Sequence, residues 1–231
     1  MRQRTMYNAS LLLLTMTSGA VDAISFIRLG QVFTAAMTGN TVLFGLALFH
    51  VLHSPPLRYL IALAGFVIGA GISSFIFHRN RPITRWVASE NISVLIELAL
   101  LVLAAVLVTS HISQSPSLIV SLLGAAMGVQ TVVAKRVGIN GVTTTVLTVT
   151  IVNLVEAIVL KFLKIGSNSS ATLTNLFMWF GSIFLYSVGA SICGVIIIHS
   201  FTLAMWLPVV IVFVVALTIF LKSNSVSEMN S

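Results

Sequence analysis

Charged residues are nearly missing from this chain. Asp, Glu, Lys and Arg make up 7% of its 231 residues, against about 25% in a soluble domain. Only five of them are acidic. A water-soluble fold is thereby excluded. Cysteine is equally scarce: Cys193 stands alone, which excludes an intrachain disulfide and a cysteine-based metal cluster. The five histidines (His50, His53, His78, His111 and His199) all fall at the ends of apolar stretches. They form no ligand set, so neither a metal nor a cofactor is expected. The Walker loop, His-Glu-x-x-His, Gly-x-Ser-x-Gly and a pair of catalytic acids are absent as well, and the chain is not expected to be an enzyme. Basic residues never run longer than two and have no interleaved aromatics. The pI near 10.4 therefore points to membrane topology and lipid headgroups rather than to nucleic acid.

Hydrocarbon fills the rest. Hydrophobic residues reach 58% and the mean hydropathy is +1.08. Runs of about 20 apolar residues, the length that spans a bilayer, follow one another from Ala9 to Leu221. Eight segments can be marked: 9–29, 31–52, 57–77, 92–110, 116–134, 141–163, 173–198 and 203–221. The expected fold is an all-α, polytopic membrane bundle forming a single membrane domain, 1–231. The first segment stays apolar through Ile27 and reads as a retained span rather than a cleaved signal. The tail from Ser223 to Ser231 is short, polar and expected to be disordered.

The basic residues decide how many segments cross. If all eight cross, Arg2, Arg4, Arg58, Lys161, Lys164 and Lys222 fall on one side. Arg28, Arg79, Arg81, Arg85, Lys135 and Arg136 then fall on the other, with no bias. If 31–52 and 141–163 enter and return on the same side, only Arg28 and Arg58 lie outside and ten basic residues lie inside. Positive residues favour the cytoplasmic side, so six crossings with two re-entrant segments is the expected topology. The residues inside those segments suit a break. Met37-Thr38-Gly39-Asn40-Thr41 places Gly and Asn, which tolerate φ > 0, amid apolar neighbours. Gly141-Val142-Thr143-Thr144-Thr145 opens the other segment with residues that form helices only modestly. A hairpin of about seven residues in and twelve out would reach roughly mid-membrane at about 1.5 Å per helical residue.

The halves 9–110 and 116–221 also resemble each other. A shift of 108 lays Val21, Asp22, Arg28 and Gly30 on Val129, Gln130, Arg136 and Gly138. A shift of 120 lays Phe66-Val67-Ile68-Gly69-Ala70-Gly71-Ile72 on Tyr186-Ser187-Val188-Gly189-Ala190-Ser191-Ile192. Three crossings per half would make the repeat inverted, as in many transporters.

Gly19-Ala20-Val21-Asp22-Ala23-Ile24-Ser25-Phe26, Leu29-Gly30-Gln31-Val32-Phe33 and Met37-Thr38-Gly39-Asn40-Thr41-Val42 resemble the signature of the YoaK-like family of bacterial membrane proteins. Gly128-Val129-Gln130, Gly138 and Thr143-Thr144-Thr145-Val146-Leu147-Thr148 resemble that family's second motif. The resemblance covers almost the full chain and implies a multi-pass protein of the bacterial inner membrane with about six spans. It implies no chemistry, because the family is a domain of unknown function. Val152-Asn153-Leu154-Val155-Glu156 departs from the small-residue continuation expected there.

Candidate functional residues are the polar ones placed deep in apolar segments. Asp22, about two-thirds along the first span, carries an insertion cost of at least about 2.5–3.5 kcal/mol. It reads as a proton- or cation-coupling carboxylate, or alternatively as the cap of the broken segment or a partner of Arg28. Thr38 and Asn40 are candidate solute or ion ligands, joined by Gln130 from the other half and by Asn153 on the sixth segment. Glu97 and Glu90 read as wetted acids at headgroup level. Gly65 with Gly69, and Gly124 with Gly128, read as close-packing pairs between helices. The function expected is secondary transport or facilitated passage of a small solute. A channel-like pore and a non-transporting scaffold or regulatory subunit are the alternatives. The expected partners are membrane lipid and a small solute or proton, with a second copy of the chain left open.

Overall fold

Hydrocarbon offers no hydrogen-bond partners, so each peptide group must be satisfied within the protein, and a lone segment can do that only as a helix. The computed structural model describes residues 2–52, 54–79, 86–110, 115–137, 147–163 and 169–228, and the described residues contain helices and no strand. The helices are α1 (Arg2–Arg28), α2 (Met37–Leu48), α3 (Pro56–Arg79), α4 (Trp86–Thr109), α5 (Pro116–Val137), α6 (Leu147–Phe162), α7 (Ser169–His199) and α8 (Phe201–Glu228). Pro56 and Pro116 open α3 and α5, where a missing N–H leaves no bond unmade. α8 runs on through Glu228, so Ser223 to Glu228 are helical rather than disordered. Extending a formed helix is far easier than starting one.

Among the described residues, six helices hold apolar stretches long enough to cross a bilayer: Asn8–Arg28, Pro56–His78, Asn91–Thr109, Pro116–Arg136, Thr174–His199 and Phe201–Leu221. The other two are short. The twelve residues of α2 cover about 18 Å and the sixteen of α6 about 24 Å, against a hydrocarbon thickness of about 30 Å. Six long spans and two short helices match the sequence reading. The first short helix follows a break, but not at the expected place: Met37 to Thr41 are helical and neither Gly39 nor Asn40 has a positive φ. After α1 the chain leaves helical geometry for residues 29–36, eight residues, and then runs twelve residues out as α2.

α1 ends in a left-handed turn. The N–H of Gln31 bonds the carbonyl of Phe26 at 3.1 Å, with φ of 94° at Gly30 and 59° at Gln31. This is the closure that satisfies a helix's last carbonyls. Gly30 suits it twice over, since a Cβ there would be strained and would also strike the Arg58 guanidinium.

Helix contacts sort the two ends of the bundle. At one end the Arg28 guanidinium lies over the Phe201 ring, 5.2 Å from its centroid. There Arg58 also lies against Gly30, and the Trp206 indole N–H donates to Thr109 Oγ1 at 3.2 Å. At the opposite end Arg136 sits 5.9 Å over the Phe77 ring. Arg28 and Arg58 thus share one end, away from Arg136.

The tightest helix contacts run through glycine. Gly65 and Gly69 of α3 meet the Ser121 and Ala125 carbonyls of α5, while Gly124 and Gly128 of α5 meet the Ala62 and Phe66 carbonyls of α3. A Cβ on Gly65 would stand 2.5 Å from the Ser121 oxygen. Gly19 and Gly189 bring α1 and α7 together in the same way, each against the other helix's backbone. α1 packs on α7 and α8, α5 on α3 and α4, and α4 on α8, with α2 on α3 and α6 on α7. The outer surface is apolar, with Phe49, Phe162 and Ile198 among its most exposed side chains. Polar residues such as Ser18, Asp22, Asn40, Glu97 and Gln130 are turned inward and buried. That inversion is the one a lipid solvent imposes.

Candidate functional site

Asp22 lies on the interior face of α1, 3% exposed. Two turns later the helix ends, and residues 29–36 fold back along it until their backbone reaches the carboxylate. Oδ1 accepts the N–H of Thr34 at 2.7 Å and that of Ala35 at 2.7 Å, with the Thr34 hydroxyl at 3.4 Å. Oδ2 accepts the N–H of Ala36 at 3.1 Å and the phenol of Tyr186, on α7, at 2.5 Å. The receiving backbone is the non-helical stretch Thr34 to Ala36 that leads into α2. Ala36 is the N-cap residue of α2 and has no side-chain cap of its own. The first N–H groups of a helix lack intrahelical partners and carry its positive dipole end, and the N-cap N–H of Ala36 is served by an acid from a different helix. The acid is met by three peptide N–H groups, the Tyr186 phenol and, at longer range, the Thr34 hydroxyl. The pairing with Arg28 is not formed, because Arg28 is exposed and turned onto Phe201.

Asn40 closes the same segment from the other side. Its Oδ1 accepts the Phe33 N–H at 2.9 Å and its Nδ2 donates to the Phe33 carbonyl at 2.5 Å. One side-chain amide thus satisfies both backbone groups of a residue that has no helix around it, as buried backbone requires. The Phe33 ring stacks on Phe26 with centroids 5.0 Å apart, and Gly39 leaves room for it, since a Cβ would come within 2.9 Å of that ring. Asp22, residues 33–36, Asn40 and Tyr186 therefore form one buried polar cluster joining α1, α2 and α7.

The remaining candidates lie elsewhere. Thr38 is exposed on α2. Gln130 is fully buried and donates through Nε2 to the Leu14 carbonyl at 2.9 Å and Ser18 Oγ at 2.7 Å. Ser18 is one turn of α1 from Asp22, so Gln130 reaches the same helix about 6 Å further along it. Asn153 is half-buried on α6, which packs on α7. Gly138 and Thr143 to Thr145 lie outside the described residues.

Two residues of the interior escape a reading of the sequence. Tyr186 is the acid's partner, and its signal was a lone phenol amid an apolar span, on the position that the shift of 120 aligns with Phe66. Glu97 corrects the expectation of a wetted acid. It is 0% exposed, and neither carboxyl oxygen has a hydrogen-bond partner among the described residues. Distance along the helix misled here, because the helix turns Glu97 onto the packed face that also carries Val94 and Leu101.

With this cluster in view, relatives can be weighed. The model of a family described as a protein of unknown function, DUF1275, matches residues 10–218. The chain belongs to the DUF1275 family. It is similar to the UPF0700 transmembrane protein YoaK of Bacillus subtilis (strain 168), with 33% identity over 215 residues that cover 93% of this chain and 95% of that one. No solved structure matches significantly. The match takes in both elements of the site: Asp22 with its receiving segment, and Tyr186 164 positions further along.

Proposed function

We propose that this DUF1275 member is a multi-pass protein of the bacterial inner membrane that carries a small solute across it, as a secondary transporter or facilitator rather than an enzyme. The observation that carries the reading is the non-helical segment 29–36, held inside the bundle by Asp22, Asn40 and Tyr186. Irregular backbone survives at membrane depth only inside protein or along a cavity, and interrupted helices build the substrate sites of many transporters. Asp22 now occupies the N–H groups of Thr34, Ala35 and Ala36, just before α2. Release of that contact would free three N–H groups for an anionic or carbonyl-bearing solute. Asn40 and Gln130 would lie nearby, with Thr38 and Asn153 toward α2's outer face and α6.

The helix pairing supports an inverted repeat. Exchanging α1 with α5, α2 with α6, α3 with α7 and α4 with α8 turns the α1–α7 contact into α5–α3 and α8–α1 into α4–α5. The same exchange turns α2–α3 into α6–α7 and leaves α4–α8 unchanged. Each half then holds three long spans, which gives the halves opposite orientations.

A scaffold without transport is the second reading, favoured by one observation: every oxygen of Asp22 is already bonded to the chain itself. Purified protein screened by thermal shift against metabolites and drugs, then tested for uptake in proteoliposomes, separates the two. A stabilising solute that is also taken up supports transport. Failure of every solute on both measures, together with a stoichiometric membrane partner, would establish the scaffold.

A further inference from the structure

Two acids lie buried in this bundle, and their surroundings are opposite. Asp22 is supplied with donors from three peptides and a phenol. Glu97, equally buried, has none among the described residues on either oxygen. A carboxylate with neither donor nor cation is not tolerated in so apolar a site, so Glu97 in this conformation is the neutral acid. No charged side chain of the described residues faces it from the three helices packed on α4. On α3, Arg58 and His78 lie toward the two ends, and on α5, Lys135 and Arg136 are exposed at the end. Along α8, residues 201–221 contain no ionisable group. What faces this part of α4 is uncharged: Ser93, one turn before Glu97, shares a hydrogen bond of 3.2 Å with Ser73 of α3.

Gln130 stands at the same depth. Glu97 is six residues from Asn91 and Gln130 six residues from Arg136, the ends of adjacent antiparallel spans, so both lie about 9 Å inside the same boundary. Gln130 spends its donor group on α1, while its Oε1 is buried without a partner among the described residues. A protonated Glu97 supplies a hydroxyl donor at the level where Gln130 has a spare acceptor.

We propose that Glu97 is an exchangeable proton-binding site, loaded in this closed arrangement and emptied when α4 parts from α5 or α8 and water reaches it. Resting on the transport reading above, it is then the group that couples a proton to solute movement, while Asp22 holds the re-entrant segment in place. The O–H bond breaks to give the proton to water, and the carboxylate left behind is stable only in the hydrated, open state.

The test reads the proton directly. Infrared spectra of the full-length protein in lipid nanodiscs, wild type against Glu97→Gln, should show one protonated-carboxyl band lost in the variant. In wild type that band should shift when water is replaced by D2O. Dicyclohexylcarbodiimide, which attacks protonated carboxyls in apolar surroundings, should label the peptide containing Glu97 and leave Asp22 unlabelled, with labelling lost as pH is raised. Both D2O exchange and labelling are read on wild type, so a Glu97→Gln protein that fails to fold does not block the answer. An unlabelled Glu97, or an acid band that never shifts in D2O, would overturn the proposal. A protein that moves no solute but exchanges this proton would overturn the transport reading and leave the proton site standing.

Discussion

Asp22 and Asn40 each use one short side chain to satisfy backbone that no helix supports, and the contacts differ in how much they bear. The Tyr186 phenol gives Asp22 a charge-assisted bond at 2.5 Å, whereas the Thr34 hydroxyl stands off at 3.4 Å and its backbone N–H bonds the acid regardless. Tyr186→Phe should therefore lower stability by about 1.5–3 kcal/mol, the range for hydrogen bonds to charged groups, while Thr34→Ala should cost well under about 1 kcal/mol. Thermal unfolding in detergent ranks them, and equal midpoints would refute the cap. Asn40→Asp is the sharper variant. It keeps an acceptor for the Phe33 N–H but sets an oxygen against the Phe33 carbonyl that Nδ2 now serves. Destabilisation of at least about 1–3 kcal/mol is expected, and a wild-type midpoint would mean the Phe33 bridge is not formed. Sequence alone marked Asp22 and Asn40 because polar groups in apolar runs need partners. It could not mark Tyr186 as the partner, which lies 164 positions away, nor tell that Glu97 turns into the packed face, since that depends on which side of α4 its neighbours cover.

At the scale of elements, α3 and α5 approach through backbone rather than side chains. A Cβ on Gly69 would run into the Ala125 carbonyl and one on Gly128 into the Phe66 carbonyl. Gly69→Ala and Gly128→Ala should each force the helices apart and destabilise by about 1–3 kcal/mol. Gly71, on α3 as well, has nothing within 4 Å of its would-be Cβ. Gly71→Ala should be neutral or stabilising by up to about 1 kcal/mol, the helix preference of Ala over Gly. Midpoints measured on the three variants decide it, and a Gly71→Ala as costly as the other two would show that close approach to a neighbouring helix does not set the effect. The glycine pairs were legible as spacing, four residues apart on one helix face, but spacing does not name the opposing helix. The break in segment 31–52 was legible only in part. Gly39 and Asn40 interrupt an apolar run and so marked the segment, but both are helical in α2 and the break itself falls at 29–36, where the left-handed turn at Gly30 and Gln31 ends α1. The matching segment 141–163 showed only its helical part, Leu147–Phe162, because Gly141 to Thr145 lie outside the described residues.

For the molecule as a whole, the side on which each connection lies follows from α2 being too short to cross. The contacts of Arg28 with Phe201, Gly30 with Arg58 and Thr109 with Trp206 gather the starts of α3 and α8 with the ends of α1 and α4. The connection 49–55 belongs to that end too, since it leads into Pro56. Arg136 and Phe77 mark the opposite end, where α3 ends and α5 ends with Lys135 and Arg136. By the positive-inside rule, the excess of positive residues predicts that this second end faces the cytoplasm. A single cysteine at Ser54 should then react with a membrane-impermeant maleimide from outside intact cells, and one at Ser167 only after the membrane is opened. The native Cys193 is fully buried beside the Ala204 carbonyl and should contribute little background. Eight crossings would instead carry Ser54 to the cytoplasmic side, because segment 31–52 would then traverse the bilayer. Labelling of Ser54 only in permeabilised cells would therefore reject the re-entrant segment. The Asp22 cap would fall with it, since a crossing segment cannot return its residues 34–36 to the level of an acid two turns inside α1.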